Sequence, residues 1–405
     1  MNDYKIIYIL LLNIYSGKNL NEQFGIYQDK IENYSKIKNI VFGILRNHYW
    51  IDEVIKTLVK PNNPISNLII LRIAIYEIYF SNKKSYAITN DLVNLAKINK
   101  LPFGFINAIL RKIILEKQSI QDKVNLNNTQ VKYNLPKWLI NKLDKYNPDE
   151  LLIFREEPYI TIRLNHNKIS LDEYIKLLLN NNINYIIHND YLVITSRVKI
   201  IDIPLFIDGY VFIQDIGAQE FIKFFDKFIN NKKTVLDVCA APGGKLTQIL
   251  EQNKYQVTAV DINQDRLSKI HENLDRLQLS CNLLLGDATT IEFNNKFDCI
   301  IADVPCSATG TIKRNPDIII SRRLEDVQNF VTTQRNIIDN IWQYLADDGL
   351  LIYATCSVLE EENIQNIQYF TQKYDDFRLI EDLNIKITSY NDGFYYAAIR
   401  KNNEK

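Results

Sequence analysis

Cysteine, histidine and net charge are all in short supply in this chain, and each shortage narrows what the chain can do. The 48 basic and 48 acidic side chains cancel. No global excess marks a nucleic-acid binder, so any RNA-binding surface must be a local patch. The five cysteines (Cys239, Cys281, Cys299, Cys306 and Cys356) all lie in the second half of a 405-residue chain. That is unlike the dense disulfide framework of a small secreted domain. No CxxC pair occurs, and His48, His166, His188 and His271 are scattered, so no metal is expected. The apolar stretch 6–12 is far shorter than the roughly 20 residues of a bilayer span. It also lacks the basic flank and small-residue cleavage site of a signal peptide. It reads as one face of a first helix, in a chain expected to be cytoplasmic and free of membrane contact. The Asn-rich runs, such as 180–182, read as surface loop filler.

What is present is a folded composition, with 46% apolar and 24% charged residues. At roughly 150 residues per domain, the length suggests two or three domains. Residues 1–125 carry 3.6-residue apolar periodicity, clearest in LIILRIAIYEIYF (68–80) and FINAILRKIIL (105–115), with Pro61, Pro64 and Pro102 between helices. This predicts an all-helical domain. Residues 126–212 are mixed: helices over 135–146 and 171–179, strands over 159–165 and 191–195. They predict a small α/β connecting subdomain. From 213 to 405, apolar strands at 234–240, 256–262, 281–288, 297–306 and 349–357 alternate with helices near 264–278 and 326–346. Near-continuous apolar strands between helices predict a mostly parallel sheet covered on both faces, an α/β Rossmann-like fold.

In such a sheet, ligands bind outside the carboxyl ends of the strands. Asp237, Asp261, Asp287, Asp303 and Cys356 fall at those ends. The first strand-to-helix turn reads CAAPGGKLTQ (239–248), in which Gly243 and Gly244 allow close backbone approach to a ligand. Asp261, 24 residues beyond Asp237, suits two ribose hydroxyls, and Asp287 an adenine amine. A nicotinamide enzyme would show the same Asp261, but GxGxxG is missing. The residues themselves indicate a nucleoside cofactor.

Two further strings, ADVPCSATGTIKRNPD (302–317) and YATCSVLEEEN (353–363), each set a cysteine just beyond an apolar strand. A lone cysteine there is usually a small core residue; two at one ligand-binding edge are a stronger signal. Ser357 and Glu360 have the spacing of a capping box. A helix beginning there would place Cys356 at a positive N-terminus and make it more acidic than Cys306. Lys313 and Arg314, with Arg322 and Arg323 beyond them, flank the first string and could grip phosphates; for the last two a solvated basic face is an equally plain reading.

These strings closely resemble the RNA (cytosine-5) methyltransferases of the NOL1/NOP2/sun family. FIQDIGAQ, LDVCAAPGGK, AVDINQDRL, DVPCSATG, KRNPDI and ATCSVLEEEN all match. RNHYWID, LRIAIYEIYF, YAITNDLVNLAK and INAILRK resemble the NusB-like N-terminal RNA-binding domain of the family's 16S rRNA branch, and LPKWL and EEPYITIRLN its connecting subdomain. The resemblance implies S-adenosyl-L-methionine as cofactor, held by Cys239, Ala240, Ala241, Pro242, Gly243, Gly244, Lys245, Asp261, Asp287 and Asp303. It implies Cys356 as the nucleophile that adds to cytosine C6, Cys306 as the residue assisting product release, and Asp303 at N3 of the base. The implied substrate is a hairpin-loop cytosine of 16S rRNA, cytosine(967), bound by a monomeric enzyme; this is analogy at the level of the fold. Two departures stand out. Ala308 occupies a usual glycine position, and Ile216-Gly217 replaces a small-residue pair. Other expectations compatible with the sequence are a tRNA or different rRNA target and a non-catalytic NusB-like RNA-binding factor, which would need neither cysteine. No (D/N)PP(Y/F) string follows the fourth strand, which disfavours an amino methyltransferase.

Overall fold

A computed structural model describes residues 3–229 and 234–402. The chain divides into two compact units that interleave in sequence. One holds Met1–Glu156 and Ile312–Leu324; the other holds Glu157–Thr311 and Glu325–Lys405.

The first unit is helical: α1 (Asp3–Tyr15), α2 (Leu20–Tyr27), α3 (Tyr34–Arg46), α4 (His48–Leu58), α5 (Ile65–Phe80), α6 (Ser85–Ile98) and α7 (Phe103–Leu115). Pro64 and Pro102 stand at the N-caps of α5 and α7, where a missing N–H costs least. Buried residues run from Ile69 to Ile78 without a polar stripe, so α5 is the central helix around which the others pack. Its two buried charged residues each have a local partner. Arg72 pairs with Asp52, and Glu77 accepts from the Tyr4 hydroxyl at 3.1 Å. Nearby, burial pushes the His48 imidazole down to about 4.

Short helices α8 (Lys117–Asp122), α9 (Thr129–Tyr133), α10 (Lys137–Lys142) and α11 (Pro148–Leu152) complete this stretch. They belong with the bundle, whereas the sequence reading placed residues 126–155 in a connecting subdomain with a helix over 135–146. The segment 312–324 also belongs to the helical unit. Ile320 packs on its core, the Leu20 amide donates to Asp317 Oδ2 at 3.1 Å, and Arg46 donates to the Lys313 carbonyl at 3.0 Å.

The second unit opens with a small antiparallel sheet of β1 (Ile160–Leu164), β2 (Tyr185–His188), β3 (Tyr191–Ile194) and β4 (Val211–Ile213), ordered β2-β3-β1-β4. Helix α12 (Leu171–Asn180), started by a Ser170–Glu173 capping box, buries Tyr174 and Leu178 against it. Strands β2 and β4 were not anticipated from the sequence.

The large sheet follows: β5 (Thr234–Val238), β6 (Gln256–Asp261), β7 (Asn282–Leu285), β8 (Phe297–Asp303), β9 (Leu345–Thr355), β10 (Phe377–Ile385) and β11 (Phe394–Lys401), ordered β10-β11-β9-β8-β5-β6-β7. The pairs among β5 to β9 are parallel; β11 joins β9 antiparallel and β10 closes a hairpin. Helices α13 (Ile216–Asp226), α14 (Gly244–Leu250) and α15 (Gln264–Leu277) cover one face. Helices α16 (Leu324–Trp342) and α17 (Ile364–Lys373) cover the other. This Rossmann-like arrangement explains the near-continuous apolar strands, because both faces are dry. Strand order reverses about β5, which is flanked by β6 and β8, and a crevice opens at such a reversal. The β10–β11 hairpin escaped the sequence reading. β10 lies at the sheet edge and shows a mostly exposed, charged pattern.

Among the described residues no helix is long and apolar enough to cross a membrane, and no cluster of His, Cys, Asp and Glu could hold a metal ion.

Candidate active site

The turn after β5 is built for close approach. Gly243 caps α14 with φ +96°, a conformation that costs an L-residue with a Cβ about 1–2 kcal/mol. Its amide closes a turn onto the Ala240 carbonyl at 2.8 Å. Cys239, also at positive φ (61°), is largely buried, and burial beside Asp261, Asp303 and Asp237 raises its thiol to about 12. It is a neutral turn residue. At the end of β6, Asp261 is buried and accepts from the Ala241 amide (3.1 Å) and the Asn263 amide (3.2 Å), so the second strand end braces the first turn. Asp287, just beyond β7, accepts from the amide and hydroxyl of Thr289.

Asp237 is 1% exposed, and neither carboxylate oxygen has a hydrogen-bond partner among the described residues. Burial, then the neighbouring Asp303 charge, pushes its carboxyl well above the usual range, with Lys245 opposing. An unpaired buried carboxylate is costly, and here it lies at the strand reversal where a ligand can supply a donor. Lys245 is itself buried and donates to Asp303 Oδ2 at 2.6 Å.

Arg163 from β1 reaches across to this loop. It donates to the Gly244 carbonyl, the Gln214 side chain, Thr247 and Glu251, all within 3.0 Å. The small sheet therefore holds the glycine turn in place. This role was invisible in the sequence, since Arg163 sits in an ordinary alternating strand.

The two cysteine strings meet at the carboxyl ends of β8 and β9, which pair in parallel with Asp303 opposite Ala354. Cys306 Sγ and Cys356 Sγ are 3.4 Å apart. The Cys306 thiol is pushed well above its ordinary value, first by its hydrogen bond with Cys356, then by burial, then by negative charge at Cys356 and Glu362. Gly310 makes the approach possible. Its amide donates to the Cys356 carbonyl at 2.9 Å, and a Cβ there would lie 2.7 Å from that oxygen and 2.3 Å from the Gly393 carbonyl. Ala308, the departure from the family's glycine, sits at φ +59°, the conformation for which glycine is favoured.

The expected capping box does not form. The Ser357 hydroxyl accepts from the Leu359 amide and donates to Glu362, not Glu360. A three-residue 3-10 turn spans Glu360–Glu362, and α17 starts only at Ile364. The helix N-cap is Asn363, six residues further along than the spacing implied, and its side chain accepts from the Thr355 hydroxyl at 2.5 Å and donates to the Ser357 carbonyl at 2.9 Å, on either side of Cys356. What the EEEN run supplies instead is Glu362. Its buried carboxylate accepts from the Ser307 amide (2.7 Å), the hydroxyls of Ser307 and Ser357 (2.5 Å each) and Gln334 Nε2 (3.2 Å). It clasps the residue after each cysteine. The sequence signal was there, an acid within six residues of Cys356, but the S-x-x-E spacing pointed to the wrong glutamate.

Comparison with known proteins matches residues 228–400 to the model "16S rRNA methyltransferase RsmB/F" and residues 10–115 to the NusB family. Proteins named ribosomal RNA small subunit methyltransferase B from Photorhabdus laumondii and Shigella sonnei are 34% and 32% identical, each over 95% of both chains. The chain belongs to the ribosomal RNA small subunit methyltransferase B family. Among solved structures, PH0851 superposes with a TM-score of 0.78 at 22% identity over 98% of both chains. NSun6 from Pyrococcus horikoshii gives 0.59 at 20% identity, over 66% of this chain and 99% of its own. Both likenesses are of fold.

A member of this RNA 5-methylcytosine methyltransferase family depends on S-adenosylmethionine. The residues present fit that cofactor: the orphaned Asp237 carboxylate, the open turn at Gly243-Gly244, and the strand-end acids Asp261 and Asp287 for hydroxyls and an amine. The basic residues fare differently. Lys313 is 1% exposed, so it does not present a surface grip for phosphate, and its carbonyl is tied to Arg46 within the helical unit. Arg314 is half-buried.

Proposed function

We propose that this methyltransferase forms 5-methylcytosine in 16S rRNA, at the hairpin-loop cytosine(967), with Cys356 as covalent nucleophile. The observation that carries the reading is the pair of sulfurs 3.4 Å apart just beyond β8 and β9, with Cys306 three residues past Asp303, whose carboxylate Lys245 holds from the cofactor turn. The relatives named ribosomal RNA small subunit methyltransferase B support small-subunit rRNA as the substrate.

Cytosine C5 is a poor nucleophile, and covalent catalysis divides the difficulty. The Cys356 thiolate adds to C6, forming an S–C6 bond as the C5–C6 π pair moves into the ring. Asp303, at the base's N3, supplies or stabilises the proton that the developing charge requires. C5 is then enamine-like and accepts a methyl group; the bound cofactor supplies it as an electrophilic sulfonium methyl. A base next takes the C5 proton, the S–C6 bond breaks, and aromaticity returns. Cys306, with its sulfur 3.4 Å from that of Cys356 and its thiol held protonated, is in reach to hydrogen-bond the departing sulfur and so assist its release.

Two experiments test this. Bisulfite sequencing of rRNA from cells with and without the gene should show loss of one 16S 5-methylcytosine; unchanged 16S rRNA with a lost tRNA signal would redirect the substrate. Cys306→Ala should accumulate a covalent RNA–protein adduct on denaturing gels, and Cys356→Ala should form none. Adduct formation by Cys356→Ala would overturn the assignment.

A further inference from the structure

The helical unit contains a cavity of about 460 Å³ formed entirely within residues 47–155, away from any residue assigned above. Trp50, Tyr79 and Phe80 form its aromatic wall, and Lys117, Lys132 and Arg155 supply its charge; its described lining residues include no carboxylate. In a chain of zero net charge this is a local positive patch. The Trp50 ring meets Tyr79 at 5.0 Å and 71°, and Phe80 at 5.1 Å and 77°. Trp50 thus meets both rings edge to face, while Phe80 stacks on Tyr76 at 5.6 Å and 23°. Phe80 is 45% exposed, so part of its ring is open to solvent at the cavity.

The cations are held in fixed positions. Arg155 donates to the Lys132 carbonyl (2.9 Å) and to Asn47 (3.3 Å), so its guanidinium plane is set by backbone and side chain. Lys117 Nζ donates to the Ile78 carbonyl at 2.7 Å, lies 5.2 Å from the Tyr79 ring centroid, and keeps further protons to donate. Lys132 is exposed at the rim.

We propose that this cavity takes an unpaired nucleotide of the RNA, its base stacked on the aromatic wall and its phosphate neutralised by Lys117 and Lys132. Exposed aromatic rings beside cations are how single-stranded nucleic acid is held without sequence readout. The volume falls within the range of small-ligand sites. An acidic peptide would satisfy the cations but bring no flat face for the rings.

The inference rests on RNA being the substrate, and the test separates the two. Full-length protein is irradiated with a short single-stranded RNA carrying a photoreactive uridine, without methyl donor, and crosslinked peptides are mapped. Crosslinks at Trp50, Tyr79 or Phe80 are expected. Trp50→Leu should weaken binding roughly five- to a hundredfold. The exposed Lys132→Glu, which leaves the aromatic wall intact, should weaken binding and reduce the slope of log affinity against log salt by about one. Unchanged affinity and slope in Lys132→Glu, with crosslinks only in the catalytic unit, would overturn the site even if methylation of rRNA is demonstrated. Displacement of the RNA from the cavity by a polyglutamate peptide alone, with no aromatic crosslink, would overturn it in favour of a protein partner. Failure of wild-type protein to methylate RNA would instead strike the functional reading.

Discussion

Removal of the Glu362 carboxylate should damage stability and catalysis together, and by different amounts for two substitutions. Glu362 is fully buried and receives four hydrogen bonds, from the Ser307 amide, the Ser307 and Ser357 hydroxyls, and Gln334. In Glu362→Ala the hydroxyls can turn to one another and to Thr309, which lies 3.2 Å from both. The Ser307 amide has no such choice, and Gln334 Nε2 loses one of its two bonds while keeping its donation to the Pro305 carbonyl at 3.0 Å. A buried donor left unmade costs about 1–3 kcal/mol, so with the Ser307 amide fully orphaned and Gln334 partly so the variant should lose roughly 1–4 kcal/mol. In Glu362→Gln one oxygen remains for the amide donors, and the new NH2 can donate to the rotated hydroxyls, so the loss should be nearer 1 kcal/mol. The residue following each cysteine is set by this clasp, and a displacement of about 1 Å at reacting atoms can cost about a hundredfold in rate. Denaturant unfolding gives the stability difference, and single-turnover methyl transfer gives the rate. An alanine variant with wild-type midpoint and rate would refute the argument that Glu362 holds the two loops together.

Other expected outcomes follow from the same structure. Asp261→Ala removes a carboxylate that braces the Ala241 and Asn263 amides and faces the cofactor turn. With charged hydrogen bonds worth about 1.5–3 kcal/mol, S-adenosylmethionine affinity by calorimetry should fall roughly 10- to 150-fold, and an unchanged affinity would remove Asp261 from the site. His48, buried and held neutral at about 4, has a folded value below its unfolded one near 6.5, so its contribution is present above pH 6.5 and lost as pH falls toward 4. The helical unit should lose up to about 3 kcal/mol across that window. His48→Gln should flatten the dependence, as followed by circular dichroism; a wild-type pH profile in that variant would assign the acid sensitivity elsewhere.

The sequence by itself determined the broad architecture because its signals are local. A 3.6-residue apolar period does not depend on neighbours in space, and strands dry on both faces must read as apolar runs; these gave the helical N-terminal part and the Rossmann-like sheet. They also set Asp261, Asp287, Asp303, Cys306 and Cys356 at strand ends, since the last apolar residue marks where a strand leaves the core. The strands β2, β4 and β10 were missed because short or edge strands bury too little for a pattern; β11 was missed although it is an eight-residue, mostly buried interior strand. Only tertiary structure decided the rest, because each of these contacts joins residues far apart in the chain. Lys313 looks like a surface phosphate grip until the segment 312–324 is seen to belong to the helical unit. Arg163 is an alternating strand residue until its guanidinium is found on the Gly244 carbonyl. Ser357 and Glu360 have capping-box spacing, yet the competing demand of two buried serines assigns the hydroxyl to Glu362. Local spacing can propose a hydrogen bond; which donor finds which acceptor is settled by the burial of every polar group that must be paired at once.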